Sequence, residues 1–453
     1  VTLWRLTVSR RHLNEWLSSD RCQSSCPLSV LRFYRQKWLN PCAGLLLSLL
    51  TYRYHPALIA VALPIGLLWL LTPALMSWLS RQPVAEKVAI SDGQQGFLRQ
   101  IARETWAFFD TFVNQQENWL PPDNYQEVPE PVIAHRTSPT NIGLSLLANL
   151  TAWDFGYITQ GEVLRRIDQT LTTLDKLEHY RGHLYNWYDT RTLQPLSPRY
   201  ISSVDSGNLA GHLLTLSAGL RAWRQQPLLD RQQLLAGLDD TLTLFEQSVA
   251  SAPPALLKKM RKHWHARANS AGEETGQGLQ NMLALSLLLQ QACSDSPSRV
   301  RRWSENLHTQ LAQFSEEWSQ LLAWYPYHKE GEKLPSLSQI VQWHPPVGQQ
   351  GALTAARRAS LAQAQAIAGQ RLLILNELEQ RLIDHANMDF RFLYCADTHL
   401  LCVGYHCDEN KLDSGKYDLL PSEIRLTQYF TIATNQLPMK SWFALGRLCT
   451  RVN

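Results

Sequence analysis

The chain has 453 residues, 45% of them apolar and 18% charged, which is typical of a folded protein with one large domain or two to three smaller ones. Its net charge of +4 is unevenly distributed along the chain. Residues 1–53 carry eight Lys or Arg and two Asp or Glu, so the other 400 residues have a net charge of −2. A main body without excess positive charge excludes a polyanion binder, so we expect no nucleic-acid partner, and the basic start suits the flank of a membrane segment.

The first long apolar stretch predicts a membrane span. Residues 1–40 are polar and basic, and Pro56–Ser80 then runs for 25 residues without Asp, Glu, Lys or Arg. That length crosses a hydrocarbon core of about 30 Å, and membrane helices tolerate the kinks expected at Pro64 and Pro73. The alternative is a buried core helix. We therefore expect a basic juxtamembrane segment at 1–40 and a transmembrane region at 41–81.

The remaining residues, 82–453, form the predicted main domain, and it is mainly α-helical. Apolar residues recur at helical spacing at about 140–153, 160–179, 205–224, 229–250, 273–293, 297–323 and 352–386. Strand-like pieces occur at 184–188, 389–395 and 400–406, and the last two read as a hairpin. Helix pairs that alternate with loops bearing aromatic and acidic residues are typical of an (α/α) toroid.

An aromatic and polar segment, Tyr185-Asn186-Trp187-Tyr188-Asp189, separates two predicted helix starts. The first start is Thr137-Ser138 followed by Pro139, where Ser or Thr caps the helix and proline suits its first turn. Aromatic rings stack on sugar rings and polar side chains hydrogen-bond their hydroxyls. The alternative is a half-buried strand whose aromatic side chains fill the core.

Three carboxylates are the candidate catalytic groups. Asp205 stands with Ser206, Gly207 and Asn208 at the second helix start, Asp189 follows the aromatic segment, and Glu423 follows Pro421 at another helix start. Two carboxylates that face each other across a cleft suit glycosidic chemistry, one as acid/base and one as nucleophile or base. The alternative roles are structural: a helix cap for Asp205, a turn for Asp189 and a favourable helix-dipole charge for Glu423.

No metal or cofactor is expected. His399, Cys402, His406 and Cys407 have the residue types of a zinc site, but adjacent residues on a strand point to opposite faces. The sequence has no phosphate-binding glycine loop, no nucleophile elbow and no dinucleotide fingerprint. Its eight cysteines have no framework spacing, which favours reduced thiols in a cytoplasmic setting.

Several long motifs, in this order, carry a resemblance to a known family. They are RTSPTNIGLSLLANL, DFGYIT, GHLYNWYDT, PRYISSVDSGNLAGH and MDFRFLYCADTHLLCVGYHCDENKLDSGKYDLLPSEIRL. They resemble bacterial cyclic β-1,2-glucan synthases, in the membrane region and the central glycoamylase-like domain. One departure is Cys395 after Tyr394, where the family tends to have an acidic residue.

The resemblance implies a partial chain of a large inner-membrane protein whose main domain is cytoplasmic. An upstream glycosyltransferase domain would build linear β-1,2-glucan, a phosphorylase-like domain would follow downstream, and the central domain would close the ring by transglycosylation. The toroid would be incomplete at the C-terminus of this chain. The central domain of the family is similar to bacterial endo-β-1,2-glucanases of the α/α toroid class, in which a glutamate at a helix start like SEIRL is the catalytic acid. The resemblance therefore implies that Glu423 is the acid and that Asp205 is the second carboxylate.

The leading hypothesis is therefore a cyclising transglycosylase that acts on β-1,2-glucan. An endo-β-1,2-glucan hydrolase and a non-catalytic, membrane-anchored glucan-binding fragment remain alternatives. We expect Glu423 to point into a groove lined by Trp187, Tyr188 and Tyr417. The full set of candidate glucan-binding residues is Arg136, Tyr185, Trp187, Tyr188, Asp189, Asn208 and Tyr417.

Overall fold

A computed structural model describes residues 30–79, 90–228, 231–249, 255–267, 272–325, 334–345, 354–418 and 420–446. The chain divides into two compact units between Ile90 and Ser91. Residues 1–29 of the predicted basic segment, and Ser80 and Arg81 at the end of the predicted membrane region, lie outside the described residues.

The first unit contains a helical hairpin. Its helices are α1 (Val30–Gln36), α2 (Leu39–Tyr54) and α3 (Ile59–Leu79), and a 3₁₀ turn at Pro56–Leu58 precedes α3. Helices α2 and α3 pack closely where both have small residues, since a Cβ atom on Gly44 would lie 2.5 Å from the Gly66 carbonyl oxygen. Among the described residues one helical stretch, Pro56–Leu79, is long and apolar enough to cross a membrane. Most of its side chains are exposed rather than packed in a core.

We expect alkaline carbonate extraction to leave the protein in the membrane pellet, because Pro56–Leu79 is long and apolar enough to span a bilayer and most of its side chains are exposed. Placing two lysines in the middle of this helix, at Leu67 and Leu71, should shift the protein toward the supernatant. Release of the unaltered protein into the supernatant would contradict a membrane-spanning role.

The second unit is mainly helical, which confirms the predicted fold class. Its helices are α4 (Asp92–Phe112), α5 (Pro139–Asp154), α6 (Gln160–Leu174), α7 (Ser203–Trp223), α8 (Arg231–Ser248), α9 (Ala255–Arg267), α10 (Gly272–Ala292), α11 (Ser298–Leu321), α12 (Leu337–Gln342), α13 (Ala355–Ala386) and α14 (Arg425–Ala433). Packing runs in a closed circuit: α4 contacts α5, which contacts α7, then α13, α11, α8 and α4 again. A closed circuit of packed helices is what a toroid requires.

Short antiparallel strands lie in the loops between the helices. They are β1 (Tyr125–Gln126), β2 (Val132–Ile133), β3 (Arg136–Thr137), β4 (His179–Tyr180), β5 (His183–Leu184), β6 (Tyr188–Asp189), β7 (Tyr200–Ser202), β8 (Tyr394–Cys395), β9 (Leu400–Cys402), β10 (Gly404–His406), β11 (Lys411–Leu412) and β12 (Lys416–Tyr417). The pairs β1–β2, β3–β6 and β4–β5 stand alone, and the three-stranded sheets are β11-β10-β7 and β12-β9-β8.

The predicted hairpin of 389–395 and 400–406 is confirmed only in part. Strands β8 and β9 pair, but the chain leaves that sheet at Val403, and β10 pairs with β7 instead. This change of partner joins the late loops to the start of α7, because the Ser203 amide donates to the Val403 carbonyl (3.0 Å). Thr427 of α14 also donates its hydroxyl to the Ser203 carbonyl, at 3.1 Å. The start of α7 and the start of α14 are thereby fixed to each other.

A buried histidine beneath the start of α7 links folding to pH. The His183 ring is fully buried, with Nδ1 2.9 Å from the Ser206 hydroxyl and Nε2 2.8 Å from the Asp389 carbonyl oxygen. Nε2–H therefore donates to the carbonyl, and Nδ1 accepts from the hydroxyl. Burial lowers the pKa of His183 from 6.5 to about 4.

We expect the free energy of unfolding to fall as the pH drops below 6.5, because the unfolded chain takes up the proton more readily than buried His183. The loss should reach about 3 kcal/mol near pH 4, because the pKa differs by about 2.5 units at about 1.4 kcal/mol each and the full difference is reached only below pH 4. Denaturant unfolding between pH 7 and pH 4 measures it. The His183→Gln variant should lose this part of the pH dependence, and an unchanged slope would contradict the assignment.

Candidate active site

Two capped helix starts meet at one end of the second unit. Ser138 caps α5 by accepting from the Asn141 amide (3.2 Å), as the sequence predicted. Ser202 caps α7 by accepting from the Asp205 amide (3.2 Å), so Asp205 is not itself the cap. Its carboxylate lies in the first turn of α7, where the helix dipole favours a negative charge.

Hydrogen bonds hold Asp205 in one orientation. The Thr140 hydroxyl donates to Asp205 Oδ1 at 2.6 Å, and the Asn208 amide donates to the same Thr140 oxygen at 3.2 Å. The Asn186 amide finds partners for both its nitrogen and its oxygen when these two atoms exchange places: it then donates to Asp205 Oδ2 at 3.1 Å and accepts from Trp187 Nε1 at 3.2 Å. Asp205 is half-buried, so part of the residue remains accessible to solvent.

Tyr417 lies near both candidate catalytic carboxylates. Burial raises the pKa of Tyr417, and so do the nearby negative charges of Glu423 and Asp205. Glu423 lies in a 3₁₀ turn, Ser422–Ile424, that leads directly into α14, and its side chain is exposed. The surroundings of Tyr417 thus include both groups that the sequence predicts as an acid and a second carboxylate.

Arg136 and Trp187 form one wall beside this cluster. The Arg136 guanidinium lies over the Trp187 ring, 4.8 Å from its centroid, and forms an ion pair with Asp123 (3.0 Å). Asn141 also donates to Asp123, at 3.3 Å. The indole ring is half-buried, so it offers an apolar surface held in place by a cation on one face.

Two predicted glucan-binding tyrosines are core residues, and for them the prediction is wrong. Tyr188 is 0% exposed, and its hydroxyl donates to the Glu178 carbonyl oxygen and accepts from the Tyr185 amide. Tyr185 is buried against it and donates its hydroxyl to the Glu178 carboxylate (3.0 Å). A sugar ring cannot stack on either ring, because other side chains already cover both.

Asp189 also has a structural role. Its Oδ1 accepts from the backbone amides of Arg191 (2.9 Å) and Thr192 (2.8 Å), which is an Asx turn that closes the loop after β6. Of the predicted residues, the structure brings Asp205, Asn208, Tyr417, Glu423 and the Arg136–Trp187 pair to the same end of the fold. Tyr185 and Tyr188 lie in the core, and Asp189 closes the turn after β6.

Sequence reasoning missed a second hydrogen-bonded group next to Tyr417. Tyr200 of β7 donates its hydroxyl to Asp413, and His406 Nε2 lies 3.1 Å from the other Asp413 oxygen. Burial raises the pKa of Tyr200, followed by the effects of Asp413, Tyr417 and Asp205. The signal was weak, because Asp413 reads as an ordinary turn residue before Ser414-Gly415. Among the described residues, no group of three or more His, Cys, Asp or Glu side chains is placed to hold a metal ion.

The site combines carboxylates, a tyrosine and a half-buried tryptophan, and paired carboxylates are the groups that most glycoside-cleaving enzymes use. In an alignment of 456 positions that covers 98% of the chain, it is 36% identical to the cyclic beta-(1,2)-glucan synthase NdvB of Rhizobium meliloti (strain 1021). The resemblance to cyclic β-1,2-glucan synthases is thereby confirmed. The chain spans 15% of the length of that relative.

No family model matches the chain. Two solved structures are similar to it at 12% sequence identity: putative glucoamylases from Bacteroides fragilis NCTC 9343, with a TM-score of 0.24, and Bacteroides caccae ATCC 43185, with a TM-score of 0.23. The comparisons cover 67% and 65% of this chain, and 99% and 98% of the two structures.

Proposed function

We propose that the second unit closes linear β-1,2-glucan into a ring by transglycosylation, as the central domain of a larger synthase. The observation that carries this proposal is the cluster around Asp205, whose carboxylate accepts from Thr140 at 2.6 Å and lies, like Glu423, close to Tyr417. Two carboxylates around one hydroxyl group, beside an aromatic wall, supply what glycosidic bond exchange needs. The 36% identity to a cyclic β-1,2-glucan synthase supports glucan as the substrate.

In this proposal Glu423 donates a proton to the glycosidic oxygen as that bond breaks, and Asp205 attacks the anomeric carbon to form a covalent ester. A hydroxyl group at the other end of the same glucan then attacks that carbon. Glu423, now ionised, removes the proton from this hydroxyl, and the Asp205 carboxylate leaves. Such a retaining exchange requires the carboxyl groups to stand about 5 Å apart, whereas about 6.5–9.5 Å suits inversion with water.

The substrate contacts in this proposal are Trp187, Arg136, Asn208 and Tyr417. The Trp187 ring is held by the Arg136 guanidinium at 4.8 Å and can stack on a glucose ring. Asn208 already shares the Thr140 hydroxyl with Asp205, so it can hydrogen-bond a sugar hydroxyl next to the reacting carbon. Tyr417 can donate to the sugar when Glu423 turns toward the glycosidic oxygen.

Incubation of the protein with linear β-1,2-glucan, followed by mass spectrometry of the products, tests the proposal. Cyclic products, lighter than a linear chain of equal length by one water, are the expected result. Short linear chains would instead favour an endo-β-1,2-glucan hydrolase, and unchanged polymer that still binds would favour a glucan-binding fragment.

We further propose that the protein resides in the bacterial inner membrane, with the second unit in the cytoplasm. The exposed apolar stretch Pro56–Leu79 supports the membrane, and cysteines without a disulfide among the described residues agree with a reducing compartment. The partners in this proposal are the other domains of the synthase, a glycosyltransferase upstream and a phosphorylase-like domain downstream. Membrane fractionation, followed by protease digestion from one side of the membrane, tests whether the second unit lies on the cytoplasmic side.

A further inference from the structure

Exposed apolar side chains are concentrated in one part of the second unit, residues 420–446. Six large apolar side chains are exposed there, compared with eleven among all the described residues from 91 to 418. The six are Leu420, Leu426, Tyr429, Met439, Phe443 and Leu445. Single exposed apolar side chains are normal, but large ones at this density mark a surface that another molecule or segment covers.

Helix α14 turns its apolar side outward. Leu426, Tyr429 and Ala433, spaced three and four residues apart, are exposed, and Tyr429 is 66% exposed. The inward side holds Phe430 and three fully buried polar residues, Thr427, Gln428 and Thr431. A helix at the surface of a soluble domain normally exposes its polar side and buries its apolar one. The reversed arrangement is typical of a helix that lies between two layers of protein.

Hydrogen bonds to the inward polar side chains fix α14 in this orientation. Thr427 donates to the Ser203 carbonyl oxygen of α7 at 3.1 Å. Gln428 Nε2 donates to the Ser441 carbonyl oxygen, at 3.3 Å, in the 3₁₀ turn Met439–Trp442. Rotating α14 to bury its apolar side would leave these polar groups without partners, which costs more than the exposed apolar surface would gain.

The turn Met439–Trp442 is fixed to the same helix. The Arg425 guanidinium lies over the Trp442 ring, 4.6 Å from its centroid, and donates to the Trp442 carbonyl oxygen at 3.2 Å. Phe443 follows this turn directly and is 55% exposed. The outward apolar side chains of α14 and the exposed ring after the turn are therefore held on one rigid element.

The chemistry of this element favours protein over lipid as its cover. A helix that lies on a membrane surface needs a strongly basic polar side, whereas the charged residues of 420–446 are only Glu423, Arg425 and Lys440. The glucan synthase of Rhizobium meliloti is much longer than the region that aligns with this chain, which is 15% of its length. A synthase of that size has ample polypeptide to cover the exposed side of α14.

We propose that the outward side of α14, together with Phe443, is a docking surface for an amphipathic helix from the part of the synthase outside residues 1–453. The apolar stripe of that helix packs on Leu426 and Tyr429, as helices pack side chains spaced three and four residues apart. The proposal does not depend on the reaction assigned to Glu423 and Asp205.

Photocrosslinking in the complete synthase that contains this chain tests the docking surface. The photoreactive residue p-benzoylphenylalanine replaces Tyr429, and mass spectrometry identifies the cross-linked peptides after irradiation. We expect a cross-link to a segment of the same polypeptide outside residues 1–453, at the gel mobility of a single chain. The same probe at Leu373, the one large apolar residue exposed on α13, is the matched control and should give at least tenfold less of this product.

Tyr429→Asp gives a second, independent readout. In the complete synthase the carboxylate would be buried without a partner, so trypsin should cleave at Arg425 or Lys440 at least fivefold faster than in the unaltered synthase. In the 453-residue chain alone the side chain stays in water, so the rate of cleavage should not change. Leu373→Asp should leave cleavage unchanged in both.

Cross-links to lipid, cross-links at the gel mobility of a dimer, or the absence of cross-links would each overturn the docking surface. Equal trypsin cleavage of the unaltered and the Tyr429→Asp synthase would also overturn it. Neither readout measures ring formation, so a failure of the proposed function leaves this result intact, and the reverse holds too.

Discussion

Replacing Glu423 by Gln should lower ring formation from linear β-1,2-glucan by about 10²–10⁴-fold, the usual contribution of a general acid. Binding of the glucan should stay nearly unchanged, because the amide keeps the shape of the side chain. It has no acidic proton to transfer to the glycosidic oxygen. Glu423 is exposed at the start of α14, so the substitution leaves no buried group unpaired. Initial rates of cyclic product, with glucan binding measured separately, distinguish loss of chemistry from loss of binding.

Glu409→Gln is the matched control for this experiment. Glu409 is also exposed, lies in the turn between β10 and β11, and is close to Glu423 in sequence. It should cyclise at the normal rate. If the Glu423→Gln protein cyclises as fast as this control, Glu423 only favours the start of its helix.

The sequence predicted helices and their starts well because both depend on neighbouring residues. Ser138 followed by Pro139 predicted the start of α5, and the cap is present as expected. Asp205 was correctly placed in a first helical turn, although Ser202 rather than Asp205 makes the cap. These features depend on side chains three to four residues apart, which a sequence displays directly.

Which rings of the aromatic segment, residues 185–189, are buried could not be predicted from neighbouring residues. Tyr185, Trp187 and Tyr188 look equivalent in sequence, but Tyr185 and Tyr188 are core residues and Trp187 remains partly accessible. Strand β5 ends at Leu184 and β6 begins only at Tyr188, so side chains of this segment do not alternate between two faces as they would along one strand. Which ring is covered depends on Glu178 and on packing with distant segments, and no local pattern encodes those contacts.

The assembly of the candidate site depends on contacts even farther apart in sequence. Strand β7 pairs with β10 across about 200 residues, with Ile201 opposite Tyr405. That pairing brings the start of α7 next to the loop that holds Tyr417, and the change of sheet at Val403 makes it possible. The hairpin pattern of 400–406 predicts one continuous strand, so nothing in the sequence indicates that Asp413 and Tyr200 lie near Asp205.

Replacing Asp205 by Ala should reduce ring formation at least as strongly as the loss of the acid, because no covalent ester can form without the attacking carboxylate. The hydrogen bonds from Thr140 and Asn186 hold both oxygens of Asp205 in one direction, as a nucleophile requires. Sodium azide should then enter the space left by the side chain and restore bond cleavage. The expected product is an α-glucosyl azide, because azide attacks from the face opposite the leaving sugar and Glu423 still protonates that sugar.

The configuration of the azide product in a second variant decides between one and two displacements. In Glu423→Ala, the ester with Asp205 still forms on a substrate with a good leaving group, and azide should displace it to give the β-glucosyl azide. If this variant also gives the α product, the reaction is a single inverting displacement and Asp205 is not a nucleophile. Asp189→Asn is the matched control, because its Asx turn with Arg191 and Thr192 survives the change and ring formation should stay normal.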